Sequence, residues 1–182
     1  MDTRPLRADA RRNREKIVTA ARDAFAATGL DTQMDDIARG AGVGVGTLYR
    51  NFPTKDALVA AIVLAQMEEN AQIADDLLAR DGCSWECFED FVRRAGMKDQ
   101  ALAEVMATQP AATFIDALQE SGLAANVAEM MRRAQADGKM RPDASIEDVQ
   151  IFMCGMGAVL RNFGPDRGRR YADIMLAGMR AS

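Results

Sequence analysis

The amino-acid sequence predicts an all-α protein of about nine helices in two domains, residues 1–56 and 57–182. Apolar residues recur at helical spacing in almost every segment, and no segment shows the strict alternation of apolar and polar residues that a half-buried strand requires. Glycine and proline separate these segments, as they do at helix ends. With 182 residues, 48% of them hydrophobic, the chain can bury a substantial core, which excludes a disordered protein.

The first four helices are bounded by recognisable end signals. Thr32 begins the second helix because its spacing to Asp35 imitates a capping box, and a glycine ends each of the first two helices. Pro53 separates the third helix from the fourth, for which Thr54 is the predicted N-cap. These signals predict helices at about residues 8–28, 32–41, 45–51 and 55–80.

The later segments follow the same pattern. Ser84 and Ser145 are predicted N-caps, Gly138 ends one helix, and Gly164-Pro165 separates the last two. The sequence therefore predicts a helix that begins at Trp85 and others at about residues 99–108, 111–120, 123–137, 145–163 and 166–179.

Composition excludes several classes of function. The chain contains no histidine, which removes Ser-His-Asp and Cys-His catalysis and the common zinc motifs. Its three cysteines form no disulfide framework and indicate reduced thiols in a cytosol. The glycines at 40–46 match no phosphate-binding pattern, and no uncharged run approaches the roughly 20 residues of a membrane span. We therefore expect a cytoplasmic protein with no membrane contact, metal or cofactor.

Charge is divided unevenly along the chain. Residues 1–22 carry a net charge of +4, whereas residues 57–182 carry −6. A positively charged N-terminal segment in an otherwise negative chain indicates that this segment binds a polyanion, although a solvent-exposed basic N-terminus with no binding role has the same composition. The arginines that form a candidate arm along DNA phosphates are Arg4, Arg7, Arg11 and Arg12.

Residues 32–55 carry the most informative pattern. Two short helices separated by a tight glycine-containing turn predict a helix-turn-helix, whose second helix has the size that a DNA major groove admits. From helix lengths alone, a helical hairpin in an unrelated bundle is the commoner arrangement. The outward-facing polar groups on the second helix, which can address base edges or phosphates, belong to Thr47, Arg50 and Asn51.

The segment from Asp36 to Leu58, DIARGAGVGVGTLYRNFPTKDAL, resembles the DNA-binding signature of TetR-family transcriptional regulators. The resemblance extends over residues 14–62, with weaker matches at 134–143 and 170–180. It implies a ligand-responsive repressor, not an enzyme, that binds a palindromic double-stranded DNA operator as a homodimer. It also implies a small, largely apolar effector in the C-terminal domain. The alternatives are a helical small-molecule-binding module without DNA-regulatory activity and an all-α enzyme, which lacks a catalytic set.

The resemblance also implies which residues bind DNA. Tyr49 matches a position that contacts a phosphate, and Lys55 matches a lysine that meets the DNA backbone. Gly44 departs from the family, which commonly has a Ser or Thr cap there. The nine matching DNA-binding positions are Thr32, Gln33, Val45, Gly46, Thr47, Tyr49, Arg50, Asn51 and Lys55.

Two further sets of residues lie in the C-terminal domain. Flexible methionines and aromatic rings fit an effector pocket, although each alone fits a core; the candidates are Trp85, Phe88, Phe91, Met106, Phe114, Met130, Met131 and Met153. The uncharged faces of the last two helices predict a dimer interface, formed by Val149, Phe152, Met156, Gly157, Leu160, Tyr171, Ile174, Met175 and Gly178. A redox role stays open for Cys83, Cys87 and Cys154.

Overall fold

The computed structural model describes residues 4–96 and 110–181, and these residues confirm the all-α fold. They form eight α-helices and no strand. The helix predicted at residues 99–108 lies outside the described ranges. The eight helices are α1 Arg4–Thr28, α2 Met34–Gly40, α3 Val45–Asn51, α4 Lys55–Leu78, α5 Trp85–Gly96, α6 Ala111–Glu120, α7 Leu123–Ala136 and α8 Ile146–Met179.

The chain divides into two compact units, and α4 contributes to both. The N-terminal unit extends to Val63 and the C-terminal unit begins at Leu64, whereas the sequence placed the boundary after residue 56. The first two turns of α4 therefore count with the N-terminal unit, and their side chains Leu58 and Ile62 are completely buried. None of the described helices combines the length and the hydropathy that a membrane span needs.

In the N-terminal unit, α1 packs against α2 and α2 packs against α3. Helix α1 begins at Arg4, four residues before the predicted start at Ala8, so the backbone of the predicted arm is helical from that residue. The side chains of Arg4 and Arg7 lie outside the described part. The apolar residues that hold the three helices together are buried, and they are Ile17, Ala21, Phe25, Ile37, Ala38 and Leu48.

The capping box predicted at the start of the second helix is wrong. A short 3-10 turn, Gly29–Asp31, follows α1, and Gly29 adopts a left-handed φ of +68°. After this turn the Thr32 hydroxyl points back towards α1, where it donates to the Gly29 carbonyl oxygen at 2.8 Å. It also lies 2.5 Å from the hydroxyl oxygen of Thr28. Helix α2 therefore begins after Gln33, whose side chain does not cap it.

The core of the C-terminal unit is built from α4, α5, α7 and α8, whose buried residues form one continuous cluster. Backbone hydrogen bonds close it at one end. The Arg141 amide donates to the Met179 oxygen at 3.0 Å, and the Ala181 amide donates to the Lys139 oxygen at 2.9 Å. The bulkiest completely buried side chains of the cluster are Leu77, Trp85, Phe88, Phe91, Met130 and Phe152.

The two serines predicted as N-caps behave differently. Ser145 accepts a hydrogen bond from the Asp148 amide, and the Asp148 side chain accepts one from the Ser145 amide, which confirms the capping box. Ser84 is buried, and its hydroxyl has no hydrogen-bond partner within the described ranges. Its side chain therefore does not cap α5, and that prediction is wrong.

Helix α8 is a hairpin rather than one straight helix. It breaks at Gly164, whose φ of +77° and ψ of 179° lie outside the helical region, as the predicted separation of the last two helices requires. We call residues 146–163 the first arm and residues 165–179 the second arm. The rings of Phe152 and Tyr171 stack across the arms, with 5.2 Å between centroids.

Candidate nucleic-acid interface

The turn between α2 and α3 is tight and closed by backbone hydrogen bonds. The Ala41 amide donates to the Ile37 oxygen at 2.9 Å, and the Val43 amide donates to the Ala38 oxygen at 3.0 Å. Gly42 takes a left-handed φ of +65°, a conformation that favours glycine. These contacts and the buried Leu48 of α3 hold the two helices as the predicted helix-turn-helix.

Helix α3 presents an exposed surface of mixed chemistry. Val45 and Tyr49 are 42% and 44% exposed and place an apolar and a phenolic side chain on this surface. Gly46 and Arg50 are exposed beside them. Gly44 is the N-cap and offers no side-chain oxygen; its carbonyl oxygen accepts hydrogen bonds from the Thr47 amide at 2.8 Å and the Leu48 amide at 3.1 Å.

Thr47 organises the polar side chains of α3. The Arg50 Nη2 atom donates to the Thr47 Oγ1 atom at 3.0 Å, which leaves other guanidinium donors directed outward. The Asn51 Nδ2 atom donates to the Thr47 backbone oxygen at 2.8 Å. Asn51 is therefore engaged on its own helix, whereas Arg50 combines a defined orientation with exposed donors.

The three predicted residues outside α3 occupy different environments. Thr32 is 8% exposed and its hydroxyl is used internally, so its side chain does not reach the surface. Gln33 is exposed, and its Nε2 atom donates to the Asp31 oxygen at 2.9 Å. Lys55 is half-buried, and its Nζ atom donates to the Thr32 backbone oxygen at 2.8 Å. Of these three residues, Gln33 alone is exposed.

Helix α1 adds basic side chains whose partners the sequence did not reveal. Arg11 lies 3.5 Å from Glu15 and Arg12 pairs with Asp9, so local carboxylates offset both charges. The Arg14 guanidinium lies 4.5 Å from the ring centroid of Phe52, the residue that ends α3. This cation–π contact joins α1 to the end of α3. No sequence spacing indicates it, because the two residues are distant along the chain.

Six of the eight residues predicted for an effector pocket belong to the packed core or lie against it. Phe114 and Met153 are partly buried, and Met106 lies outside the described ranges. An effector that used this cluster would have to displace packed side chains, which flexible methionines permit. The candidates that are 5% exposed or less are Trp85, Phe88, Phe91, Met130 and Met131.

An open cleft of about 400 Å³ lies beside this core and is lined by charged side chains. Arg93 donates to Glu89 and to Asp173, each at 2.8 Å, and these hydrogen bonds raise the pKa of Arg93. The Arg180 guanidinium lies 5.4 Å from the ring centroid of Trp85. The cleft therefore combines charged and apolar lining residues, whereas the methionine content predicted an apolar pocket.

The residues predicted for a dimer interface divide between the core and the surface. Four of them, Val149, Phe152, Met156 and Leu160, are buried within the chain. Gly157, Tyr171 and Met175 are partly buried, and Ile174 and Gly178 are exposed. Two large apolar residues of the first arm that the sequence did not single out are exposed: Ile151 at 70% and Phe163 at 69%.

The cysteines do not form a reactive or metal-binding cluster. Cys83 and Cys87 are buried, and burial, with a hydrogen bond to Cys87, raises the pKa of Cys83 to about 12. Cys154 is exposed on the first arm. Among the residues the structure describes, no group of three or more cysteine or carboxylate side chains is placed to hold a metal ion.

Two family models match this chain. The model described as "Bacterial regulatory proteins, tetR family" matches residues 17–62, which contain the helix-turn-helix. The model described as "Transcriptional regulator SbtR-like, C-terminal domain" matches residues 84–181, more than half of the chain. Each match lies within one of the two units of the structure.

Named relatives agree with these models. The chain is 32% identical to a TetR transcription regulatory protein of Mycobacterium vanbaalenii, whose crystal structure it matches over 97% of this chain and 100% of that chain with a TM-score of 0.66. It is 28% identical over 149 residues to the HTH-type transcriptional regulator UidR of Escherichia coli, which covers 76% of this chain and 74% of that protein.

A shorter alignment joins it to the HTH-type transcriptional regulator SAR0097 of Staphylococcus aureus. The two are 38% identical over 81 residues, so the match spans 43% of this chain and 42% of that protein. The names of all three relatives describe transcription regulators. The helix-turn-helix, the two family models and these relatives establish that the chain belongs to the TetR family of DNA-binding transcriptional regulators.

Proposed function

We propose that this regulator is a ligand-responsive repressor that binds a palindromic operator as a homodimer. The observation that carries the operator-reading part is the surface of α3, where Thr47 orients the Arg50 guanidinium beside the exposed Val45 and Tyr49. Guanidinium and hydroxyl groups on one major-groove helix are suited to base edges, while a phenol at the same surface suits a phosphate.

The test begins with a duplex selected from a random-sequence library by the wild-type protein. Arg50→Ala should weaken binding to that duplex by about 1–3 kcal/mol and alter the preferred base at the contacted position. Thr47→Ala should cost less than Arg50→Ala and should add little to it, because Thr47 holds the Arg50 guanidinium.

The matched control is Arg94→Ala, which removes an exposed arginine of α5 that pairs with Asp90 at 2.9 Å. It should leave operator binding unchanged. Wild-type affinity in both the Arg50→Ala and Thr47→Ala proteins would contradict this assignment of α3.

The dimer is proposed to use the exposed side of α8, because its buried stripe is already covered by the chain's own core. Ile151 and Ile174 are large, apolar and exposed, one on each arm. Gly157 offers a close approach, since among the described residues no atom beyond the neighbouring helix backbone lies within 4 Å of a Cβ built there. An exposed apolar face of this kind fits a self-complementary contact between two copies.

Gly157→Arg tests this interface, because a Cβ at this position meets open space among the described residues of the single chain. The variant should sediment as a folded monomer and lose operator affinity, since two helix-turn-helix units must span half-sites about 34 Å apart. Ala128→Arg, which adds the same side chain to the exposed side of α7, is the control and should stay dimeric. A dimeric Gly157→Arg protein that retains its operator would place the interface elsewhere.

The proposed effector binds the C-terminal unit and lowers operator affinity. It can act only through different affinities for the DNA-bound and DNA-free conformations. Because the predicted pocket residues are packed, we expect an effector at that site to move Trp85, the only tryptophan of the chain. A compound that releases the operator should therefore change tryptophan emission. Release with unchanged emission would direct attention away from this core.

A further inference from the structure

The open cleft beside the core of the C-terminal unit, which we call the Trp85 cleft, lies between the start of α5 and the end of α8. Its volume of about 400 Å³ falls within the range of small-molecule sites. Helix α5 contributes Trp85, Glu89 and Arg93 to its lining, and the end of α8 contributes Leu176 and Ala177. The charged side chains of this lining decide which ligand the cleft can bind.

The carboxylates of Glu89 and Asp173, which line the cleft, are already used as hydrogen-bond acceptors. The Glu89 Oε1 atom accepts from the Arg93 Nη2 atom at 2.8 Å, and its Oε2 atom accepts from the Trp85 Nε1 atom at 3.1 Å. The Asp173 Oδ1 atom accepts from the Arg93 Nη1 atom at 2.8 Å. The charge of Arg93 is therefore shared between two carboxylates and is not available to an anionic ligand.

Arg180 differs from the other charged residues of the cleft. Its guanidinium lies 5.4 Å from the ring centroid of Trp85, and among the described residues no carboxylate lies within ion-pair distance of it. Glu86 is nearby, but both of its carboxylate oxygens accept from the Lys139 Nζ atom, at 2.9 and 3.0 Å. A guanidinium on an aromatic face keeps the donors at its edge for a planar anion, and carboxylates fit that edge with two parallel hydrogen bonds.

The backbone holds Arg180 in place from both sides. The Arg141 amide donates to the oxygen of Met179, the residue before Arg180, at 3.0 Å. The amide of Ala181, the residue after it, donates to the Lys139 oxygen at 2.9 Å. The guanidinium is therefore placed at the cleft before a ligand binds, which lowers the entropy that binding costs.

The rest of the lining limits the class of anion. Leu176 is 4% exposed, and it forms an apolar wall with the exposed Ala177 one residue further along α8. The positive charges of Arg93 and Arg180 equal the negative charges of Glu89 and Asp173, so the lining has no excess positive charge to hold a doubly charged phosphate. These features favour a singly charged anion that carries an apolar part.

We propose that the Trp85 cleft binds a small organic carboxylate, whose charged group pairs with the Arg180 guanidinium and whose apolar part lies against Leu176 and Ala177. The site lies outside the packed core to which the proposed effector is assigned. It is inferred independently of the repressor function, because none of its residues belongs to the helix-turn-helix.

The experiment is a calorimetric titration of the DNA-free protein with benzoate, up to about 20 mM, as expected for the weak affinity of so small a ligand. Benzamide has the same ring without the charge, and acetate has the charge without the ring, so each should bind at least about tenfold more weakly than benzoate. Because Trp85 is the only tryptophan and lies against Arg180, benzoate should also change the tryptophan emission.

Two variants locate the site. Arg180→Gln removes the charge and should weaken benzoate binding at least about tenfold, as expected for loss of a charged hydrogen bond, and it should abolish the emission change. Ala177→Glu adds a carboxylate one helical turn before Arg180, where it should pair with the guanidinium and weaken binding similarly. Arg132→Gln is the matched control and should bind benzoate as the wild type does, because it removes an exposed arginine of α7 that pairs with Glu129 at 2.7 Å.

Three results would overturn the proposal. They are a wild-type protein that does not bind benzoate, benzamide binding as tight as benzoate binding, and wild-type affinity in a folded Arg180→Gln or Ala177→Glu protein. Phenyl phosphate that binds more tightly than benzoate would also overturn the assignment to a carboxylate. If one of the two variants does not fold, the other supplies the same comparison. The titration contains no DNA, so its outcome is distinct from that of the operator experiments.

Discussion

Two glycines of the first arm of α8 lead to opposite predictions for the same substitution. A Cβ built on Gly155 would lie 3.1 Å from the Cζ atom of Tyr171 and closer still to its hydroxyl oxygen. A Cβ built on Gly157 has no atom within 4 Å among the described residues, apart from the backbone of its own helix turn. Gly155 thus permits the two arms to pack closely, whereas Gly157 faces open space.

The magnitude follows from the difference between the two sites. Alanine gains about 0.5–1 kcal/mol over glycine inside a helix, and both variants receive this gain. Gly155→Ala also displaces Tyr171, which stacks on Phe152, and overpacking of this kind costs about 1–3 kcal/mol. Subtracting one variant from the other removes the shared gain, so Gly155→Ala should be less stable than Gly157→Ala by about 1–3 kcal/mol.

The assay is thermal unfolding at matched protein concentration, with the oligomeric state of each variant checked by sedimentation. For a chain of this size, 1 kcal/mol corresponds to about 2–4 °C in Tm, so the two variants should be clearly resolved. Tyr171→Phe in the Gly155→Ala background should recover part of the loss, because it removes the nearest oxygen. Equal Tm values for the two alanine variants would refute the proposed close contact between the arms.

Two further predictions concern the thiols and acid stability. Maleimide at neutral pH should label one thiol per folded chain, the exposed Cys154, because Cys83 and Cys87 are buried and burial raises the pKa of Cys83 to about 12. Labelling should slow when a dimer forms over Ile151 and its neighbours. Labelling of a second thiol in the folded protein would contradict the burial of Cys83 and Cys87. Hydrogen bonds from Arg132 and, to a smaller extent, Arg133 lower the pKa of Glu129 to about 2. The stability that ionised Glu129 contributes is therefore present above its ordinary pKa near 4.5 and disappears as the pH falls towards 2. Between pH 5 and pH 2.5 the Tm of the wild type should therefore fall further than the Tm of Glu129→Gln. Equal decreases in the two proteins would show that the ion pairs of Glu129 contribute nothing measurable to stability.

The sequence by itself determined the helices of the described ranges, the helix-turn-helix and the family. These are local features: helical periodicity, a positive-φ glycine such as Gly42, and a capping box at Ser145 each depend on residues within a few positions of one another. Helix α3 accordingly occupies Val45–Asn51, as predicted, and the break between the last two helices occurs at Gly164.

Only the tertiary structure decided which surface each side chain meets. Helical periodicity predicts the apolar stripe of the first arm, which includes Phe152. It does not predict whether a second chain or the chain's own core covers that stripe. The partner of Lys55 is the carbonyl oxygen of Thr32, 23 residues away, and no pattern in the sequence specifies that distance. Contacts between distant residues depend on how helices are placed against one another, and this placement results from the packing of the whole core rather than from any single segment.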